Sequence, residues 1–182
     1  MTAERRIVMV SGPPGVGKTT IAAALADACD PSVLIDADLF WDFIRRGRIA
    51  PWSPESNDQN AVVIDAVARS AATYAAAGYP TFLDALVGPW FLGPFRRAAA
   101  DCGARLDYVV LRPMLDVSLA RAAGRNAGVV DAGFEAAIQH MWLAFSDLRE
   151  LESHVIDTSG LSVDETVAIV AARLSGDSFS LS

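Results

Sequence analysis

At 182 residues the chain has room for one domain with a sizeable core and not for a second domain of ordinary size. A composition of 52% hydrophobic and 20% charged residues excludes a disordered polymer. The net charge of −7 argues against nucleic acid as the main partner, because gripping a phosphate backbone calls for a basic excess.

Residues 6–11 (RIVMVS) read as a short buried strand, 12–17 as a loop rich in glycine and proline, and 18 to about 29 as an alanine-rich helix. A second apolar run, 32–35, ends at Asp36 and Asp38. Residues 39–46 look helical, 47–57 (GRIAPWSPESN) form a loop, and 59–77 carry apolar positions at helical spacing. Residues 80–83 make a third strand ending at Asp84, and 89–100 a loop followed by a helix. Next come a fourth strand at 106–111, a helix at 114–124, a loop at 125–133 and a helix at 134–150. A short fifth strand at 154–156 and a last helix at 163–174 follow, and the polar tail 176–182 is expected to fray. Five apolar strands alternating with helices predict an α/β fold, a parallel sheet covered on both faces. Ligands on such sheets bind beyond the carboxyl ends of the strands, where Gly12–Thr19, Asp36, Asp38 and Asp84 all lie.

Gly12-Pro13-Pro14-Gly15-Val16-Gly17-Lys18-Thr19 fits G-x-x-x-x-G-K-[ST] without a mismatch, between a strand and a helix as the motif requires. The glycines let successive N–H groups turn inward on phosphate oxygens, and the helix presents its positive end to the same anion. Lys18, the sole lysine of the chain, spans the outer phosphates. The Thr19 hydroxyl is the candidate magnesium ligand and Thr20 reaches the α-phosphate. ATP and Mg²⁺ are therefore the expected cofactors.

Asp36-Ala37-Asp38 faces the γ-phosphate in this topology. Asp38 is the candidate base for an attacking hydroxyl, with N-capping of the next helix as its rival role, and Asp36 is the metal-side candidate. Asp84 ends an apolar strand in the form that orients magnesium, and it borders the acceptor. Arg121 and Arg125, one helical turn apart, open a candidate lid over about 121–135; Arg121 is assigned to the nucleotide and Arg125 to catalysis. Trp41, Trp52 and Trp90 are candidates for the acceptor pocket, although large aromatics more often fill cores. His140 and His154 lack partners at metal-ligand spacing and read as structural. Cys29 and Cys102 fit no metal or redox spacing; with no leader pattern and no apolar run of spanning length, a cytoplasmic protein without a membrane partner is expected.

On SGPPGVGKTT, DADLFWDFI, PWSPESNDQN, FLDALVGPWF and LRP-x(7)-RAAGR the chain resembles the P-loop kinases of the shikimate kinase and gluconate kinase type. It looks closer still to chloramphenicol phosphotransferase-like proteins and to small bacterial proteins known only as AAA-family ATPases. The resemblance implies a three-layer P-loop fold with a five-stranded parallel sheet of order 2-3-1-4-5. It also implies Asp38 as base, Asp36 near magnesium, Arg125 on phosphates, and adenine held partly by Thr158-Ser159-Gly160-Leu161. The Gly-Gly turn of shikimate kinases after the third strand is missing, replaced by Asp84-Ala85-Leu86-Val87-Gly88-Pro89, so the acceptor does not carry over. The guanine signature of GTPases is absent, which favours adenine.

The expected activity is an ATP- and Mg²⁺-dependent phosphotransfer to a hydroxyl of a small molecule, with antibiotics and sugar-like metabolites as candidates. The alternatives are an ATP-binding regulator or slow ATPase, and a nucleoside or nucleotide kinase that grips its acceptor with Arg45, Arg46, Arg48, Arg96 and Arg97. The partner is a small-molecule acceptor, and self-association into a homo-oligomer stays open.

Overall fold

The computed structural model describes residues 5–125 and 132–181. Five strands, β1 (Arg6–Ser11), β2 (Val33–Asp36), β3 (Thr81–Asp84), β4 (Arg105–Leu111) and β5 (Val155–Ile156), form one sheet of order β2-β3-β1-β4-β5. Every neighbouring pair in it is parallel. β1 and β4 are almost wholly buried, as strands covered on both faces must be. This is the P-loop NTPase arrangement, in the strand order expected.

The two sheet faces carry separate cores. On one, Ile7, Met9, Leu83, Tyr108 and Val110 pack under α3 (Asn57–Ala76) and α4 (Leu92–Cys102). Alanines at 68, 71, 72 and 75 let α3 lie close to its neighbours. On the other, Val8, Val10, Val109 and Leu111 pack under α1 (Lys18–Asp27) and α7 (Val163–Leu174). Ser162 and Glu165 form a reciprocal capping box that starts α7 at Val163, the boundary expected.

The segment expected as a helix over 39–46 is a single turn, α2 (Leu39–Asp42). The chain then turns at Gly47 (φ 76) so that Arg48 can return to Asp42, an ion pair of 2.5 Å. The loop after it holds a 3-10 turn at Pro54–Ser56. Helix α5 (Leu115–Arg125) runs through both lid arginines, so Arg121 stands on a helix packed against the body. The remainder of the lid at 126–131 lies outside the described residues.

The long helix expected over 134–150 is α6 (Ala132–Ala144), with a 3-10 turn at Arg149–His154. Two features stop it. Arg112 draws the carbonyls of Phe145 and Ser146 onto its guanidinium (2.9 and 3.1 Å), and Arg149 takes a positive φ of 54.

The tail is not frayed. Phe179 is fully buried beneath the Arg173 guanidinium, 4.5 Å from its ring centroid. Tyr108 N donates to Phe179 O and Leu181 N to Leu106 O, each at 2.8 Å, so the tail lines the open edge of β4. Buried Asp107 holds Arg6 at 2.6 Å and Arg105 at 2.9 Å, and these arginines also bind the carbonyls of Leu174 and Gly176.

Candidate functional site

The carboxyl ends of β1, β2 and β3 carry the phosphate loop and all three acids. Gly12, Pro13, Gly15 and Val16 are buried and Pro14 is half-buried. Val16 reaches into the core beneath α1 and anchors the loop from below. Gly17 takes a left-handed conformation (φ 99, ψ 18) at the start of α1, and no side chain caps the helix there. The first N–H groups of α1 are thereby left for an anion. Lys18 Nζ donates to Pro13 O at 3.1 Å, which folds the ammonium over the loop. Thr19 and Thr20 are exposed at the helix start, where a hydroxyl can meet a phosphate-bound cation.

Asp36 and Asp84 are register partners across β2 and β3, and Ala37 N donates to Asp84 O at 2.9 Å. Asp36 Oδ1 accepts from Asp38 N at 2.9 Å, which shapes the turn between strand and helix. Asp38 stands at the N-cap of α2, but its carboxylate makes no capping bond. The residue is exposed as a whole, yet its carboxyl is crowded by protein, and this desolvation lifts its pKa above the ordinary 3.8. The Lys18 ammonium opposes the rise, and Asp36, Asp84 and Asp42 reinforce it. One carboxyl therefore feels the phosphate-loop lysine and the other two acids together, which places the sequence candidates around one point.

Among the described residues no group of three or more His, Cys, Asp or Glu is placed to hold a metal alone. Magnesium keeps several waters and takes one or two protein ligands beside phosphate oxygens. The Thr19 hydroxyl and the carboxylates of Asp36 and Asp84 fit that demand.

Behind the loop lies a cleft of about 270 Å³ lined by Gly17, Thr20, Arg121, Thr158, Leu161 and Val163, among others. Arg121 donates to Thr158 O at 2.8 Å and to Thr158 Oγ1 at 3.3 Å. Met114 N donates to Ser159 Oγ at 2.8 Å. The residue before α5 and the middle of the helix are so tied to the loop after β5. Arg121 thus stands beside the residues expected to hold adenine. Arg125 ends α5, and its side chain lies outside what is described.

The aromatic candidates separate. Trp41, expected to face an acceptor, belongs to the core: it is 9% exposed, and its Nε1 donates to Asn60 Oδ1 at 2.9 Å. Trp52 is 85% exposed. Trp90 is half-exposed, edge-on to Phe145 at 5.8 Å. His154 is structural, with Nδ1 bonded to Tyr108 O at 2.9 Å.

Residues without a sequence motif also shape the site. Ser11, fully buried, donates from Oγ to Val87 O (2.7 Å) and accepts from Val87 N (3.1 Å), and Tyr108 Oη donates to Val87 O at 2.7 Å. They clamp the segment after Asp84 to the strand that launches the phosphate loop. A polar Ser and Tyr inside otherwise apolar strands are the signal that finds them.

A search among curated protein sequences finds no match. Solved structures share the fold at low identity. A gluconokinase from Sinorhizobium meliloti 1021 superposes with a TM-score of 0.69 and 21% identity over 95% of this chain and 93% of that one. The tunicamycin resistance protein of Deinococcus radiodurans gives 0.67 and 20% over 93% and 95%. The APS kinase of Mycobacterium tuberculosis, solved with AMPPNP and APS, gives 0.65 and 18% over 96% and 99%. Residues 7–146, spanning the phosphate loop, all three acids and α5, match the model of a P-loop family described as AAA domain, and the chain belongs to that family.

Proposed function

We propose that the protein is an ATP-dependent phosphotransferase acting on a hydroxyl of a small molecule. The observation that carries this reading is Asp38, an uncapped carboxyl at the strand edge with a raised pKa, in the field of Lys18, Asp36 and Asp84. A phosphate loop alone serves binding or hydrolysis. A carboxyl made more basic beside it serves an acceptor that must lose a proton.

In this reading the loop amides and Lys18 hold the triphosphate, and the Arg121 cleft receives the nucleoside. Asp38 accepts the proton of the acceptor hydroxyl as that oxygen attacks the γ-phosphorus. Thr19, Asp36 and Asp84 would hold a magnesium ion brought in with the nucleotide, directly or through water, and it would supply positive charge to offset that of the phosphates. Arg125 is assigned to the transferring phosphoryl group. Sugar-like and antibiotic hydroxyl compounds are the acceptor classes in view, in keeping with the gluconokinase and tunicamycin resistance protein that share the fold.

The test is an acceptor panel of sugars, antibiotics and nucleosides read by ADP release, run on the wild type and on Asp38→Ala. Acceptor-dependent turnover that disappears in Asp38→Ala, with AMPPNP binding kept, supports the reading. A flat response to every class sinks it and leaves a nucleotide-dependent regulator.

A further inference from the structure

β5 is a two-residue strand at one end of the sheet, paired with Val110 and Leu111 of β4. So short a ladder cannot by itself fix the chain that follows it. Yet that chain supplies Thr158 and Leu161 to the cleft behind the phosphate loop, and the start of α7 adds Val163 and Thr166. The position of these residues depends on what holds the chain in front of β5 and the far end of α7. Both supports meet at Phe179.

In front of β5, His154 is buried, with its ring centroid 6.0 Å from that of Tyr108 and 6.3 Å from that of Phe179. Its Nδ1 lies 2.9 Å from Tyr108 O, and since a carbonyl only accepts, Nδ1 carries the proton. Ser153 O, one residue earlier, accepts from Arg173 at 2.7 Å. Arg173 lies in the last turn of α7, and it is the same guanidinium that covers the Phe179 ring. The segment around Phe179 is held in turn: Asp107 and Ser180 form an antiparallel bridge, and Arg105 reaches Asp177 at 2.9 Å. The outer edge of β4 is thus shared out. The tail bonds to Leu106 and Tyr108, His154 takes Tyr108 O, and β5 takes Val110 and Leu111.

We propose that residues 176–181 form a clasp for the nucleoside half of the nucleotide, in which Phe179 and Arg173 are positioning residues that set β5 and α7, and through them the cleft, for the base and ribose. Neither residue lines the cleft itself. The proposal rests on the reading of the Arg121 cleft as the nucleoside site. It separates two affinities: that for phosphates belongs to residues 12–19, and that for the nucleoside depends on the tail. Such coupling is reciprocal, so a bound nucleoside must hold the tail down as much as the docked tail favours the nucleoside.

The test measures the affinities of AMPPNP and of inorganic tripolyphosphate, each with magnesium, on the full chain by titration calorimetry. Tripolyphosphate engages the phosphate loop and has no nucleoside for the cleft. Phe179→Ala should weaken AMPPNP about tenfold, an ordinary size for coupling between sites, and tripolyphosphate by less than about twofold. Phe179→Leu, which restores an apolar anchor, should recover most of the loss. Arg173→Met keeps the stem but loses the bond to Ser153 O; it should weaken AMPPNP alone by about threefold, the order for one hydrogen bond, and it carries the test if Phe179→Ala does not fold. In the wild type, amide exchange is read at Tyr108 and Leu181, whose N–H groups bond across the tail and β4. It should slow about tenfold on saturation with AMPPNP and by less than about twofold with tripolyphosphate. Equal losses for the two ligands, equal protection by both, or an AMPPNP advantage that survives intact in Arg173→Met and in any folded Phe179→Ala overturns the clasp alone. A wild type that binds AMPPNP no more tightly than tripolyphosphate overturns the nucleoside-cleft reading, and the proposal with it.

Discussion

Gly15 and Gly17 belong to the same loop and share a left-handed backbone (φ 87 and 99), yet an added methyl group meets different surroundings at each. At Gly17 nothing lies within 4 Å of the new Cβ. Gly17→Ala should therefore cost only the backbone strain of a non-glycine residue there, about 1–3 kcal/mol. At Gly15 the Cβ would sit 2.5 Å from the Ser118 carbonyl oxygen and 3.2 Å from Ala122 Cβ, both on α5. The obstacle is helix backbone, so it cannot rotate away, and the overpacking adds about 1–3 kcal/mol to the same strain. The unfolded-chain entropy saved by replacing glycine is common to both variants and cancels between them. With the extra term at about 2 kcal/mol and a chain of this size, Gly15→Ala should melt about 4–8 °C below Gly17→Ala. Differential scanning calorimetry and urea titration give the comparison directly. AMPPNP binding is expected to fall in both variants, because both disturb the amide cradle, so stability and not affinity isolates the contact with α5. Equal melting temperatures would refute the claim that α5 is packed hard against the phosphate loop.

Three further outcomes follow from the same geometry. Asp38 has a folded pKa above 3.8, so the fold disfavours its carboxylate; the group supports stability below that value and ceases to as pH rises through the folded pKa. Asp38→Asn should thus melt higher than wild type at neutral pH, lose that advantage below about pH 3.8, and have no acceptor-dependent turnover; calorimetry across pH with ADP release checks all three. Glu152, held to about 2 by its bidentate pairing with Arg112, contributes stability present above 4.5 and lost as pH falls through about 2, so Glu152→Gln should flatten the melting profile in that window. Phe179→Ala empties a fully buried site and should cost about 3–5 kcal/mol in urea titration, whereas a frayed tail would leave stability unchanged.

The sheet and the phosphate loop were legible because local signals sufficed: buried strands are apolar throughout, and the loop motif constrains eight consecutive residues. What misled was long-range. The 134–150 stretch has helical composition, and only Arg112, from another element, withdraws the carbonyls of Phe145 and Ser146. The tail reads as polar because Asp107, Arg6 and Arg105, which anchor the chain leading into it, are distant in sequence and a single phenylalanine carries its burial. Trp41 and Trp52 show the same limit at the site. Both are tryptophans in the segment after Asp38, and their residue type does not distinguish them. Asn60 does. Its side chain takes the indole N–H of Trp41 on one side and Pro51 O on the other, so a single amide commits Trp41 to the core and fixes the loop that leaves Trp52 in solvent. The grouping of the acids near Asp38 is therefore readable from the D-x-D spacing, while the shape of the segment after it depends on hydrogen bonds 9 and 19 residues apart. Closely related folds can keep the first and change the second, and for that reason their acceptors do not transfer with the motif.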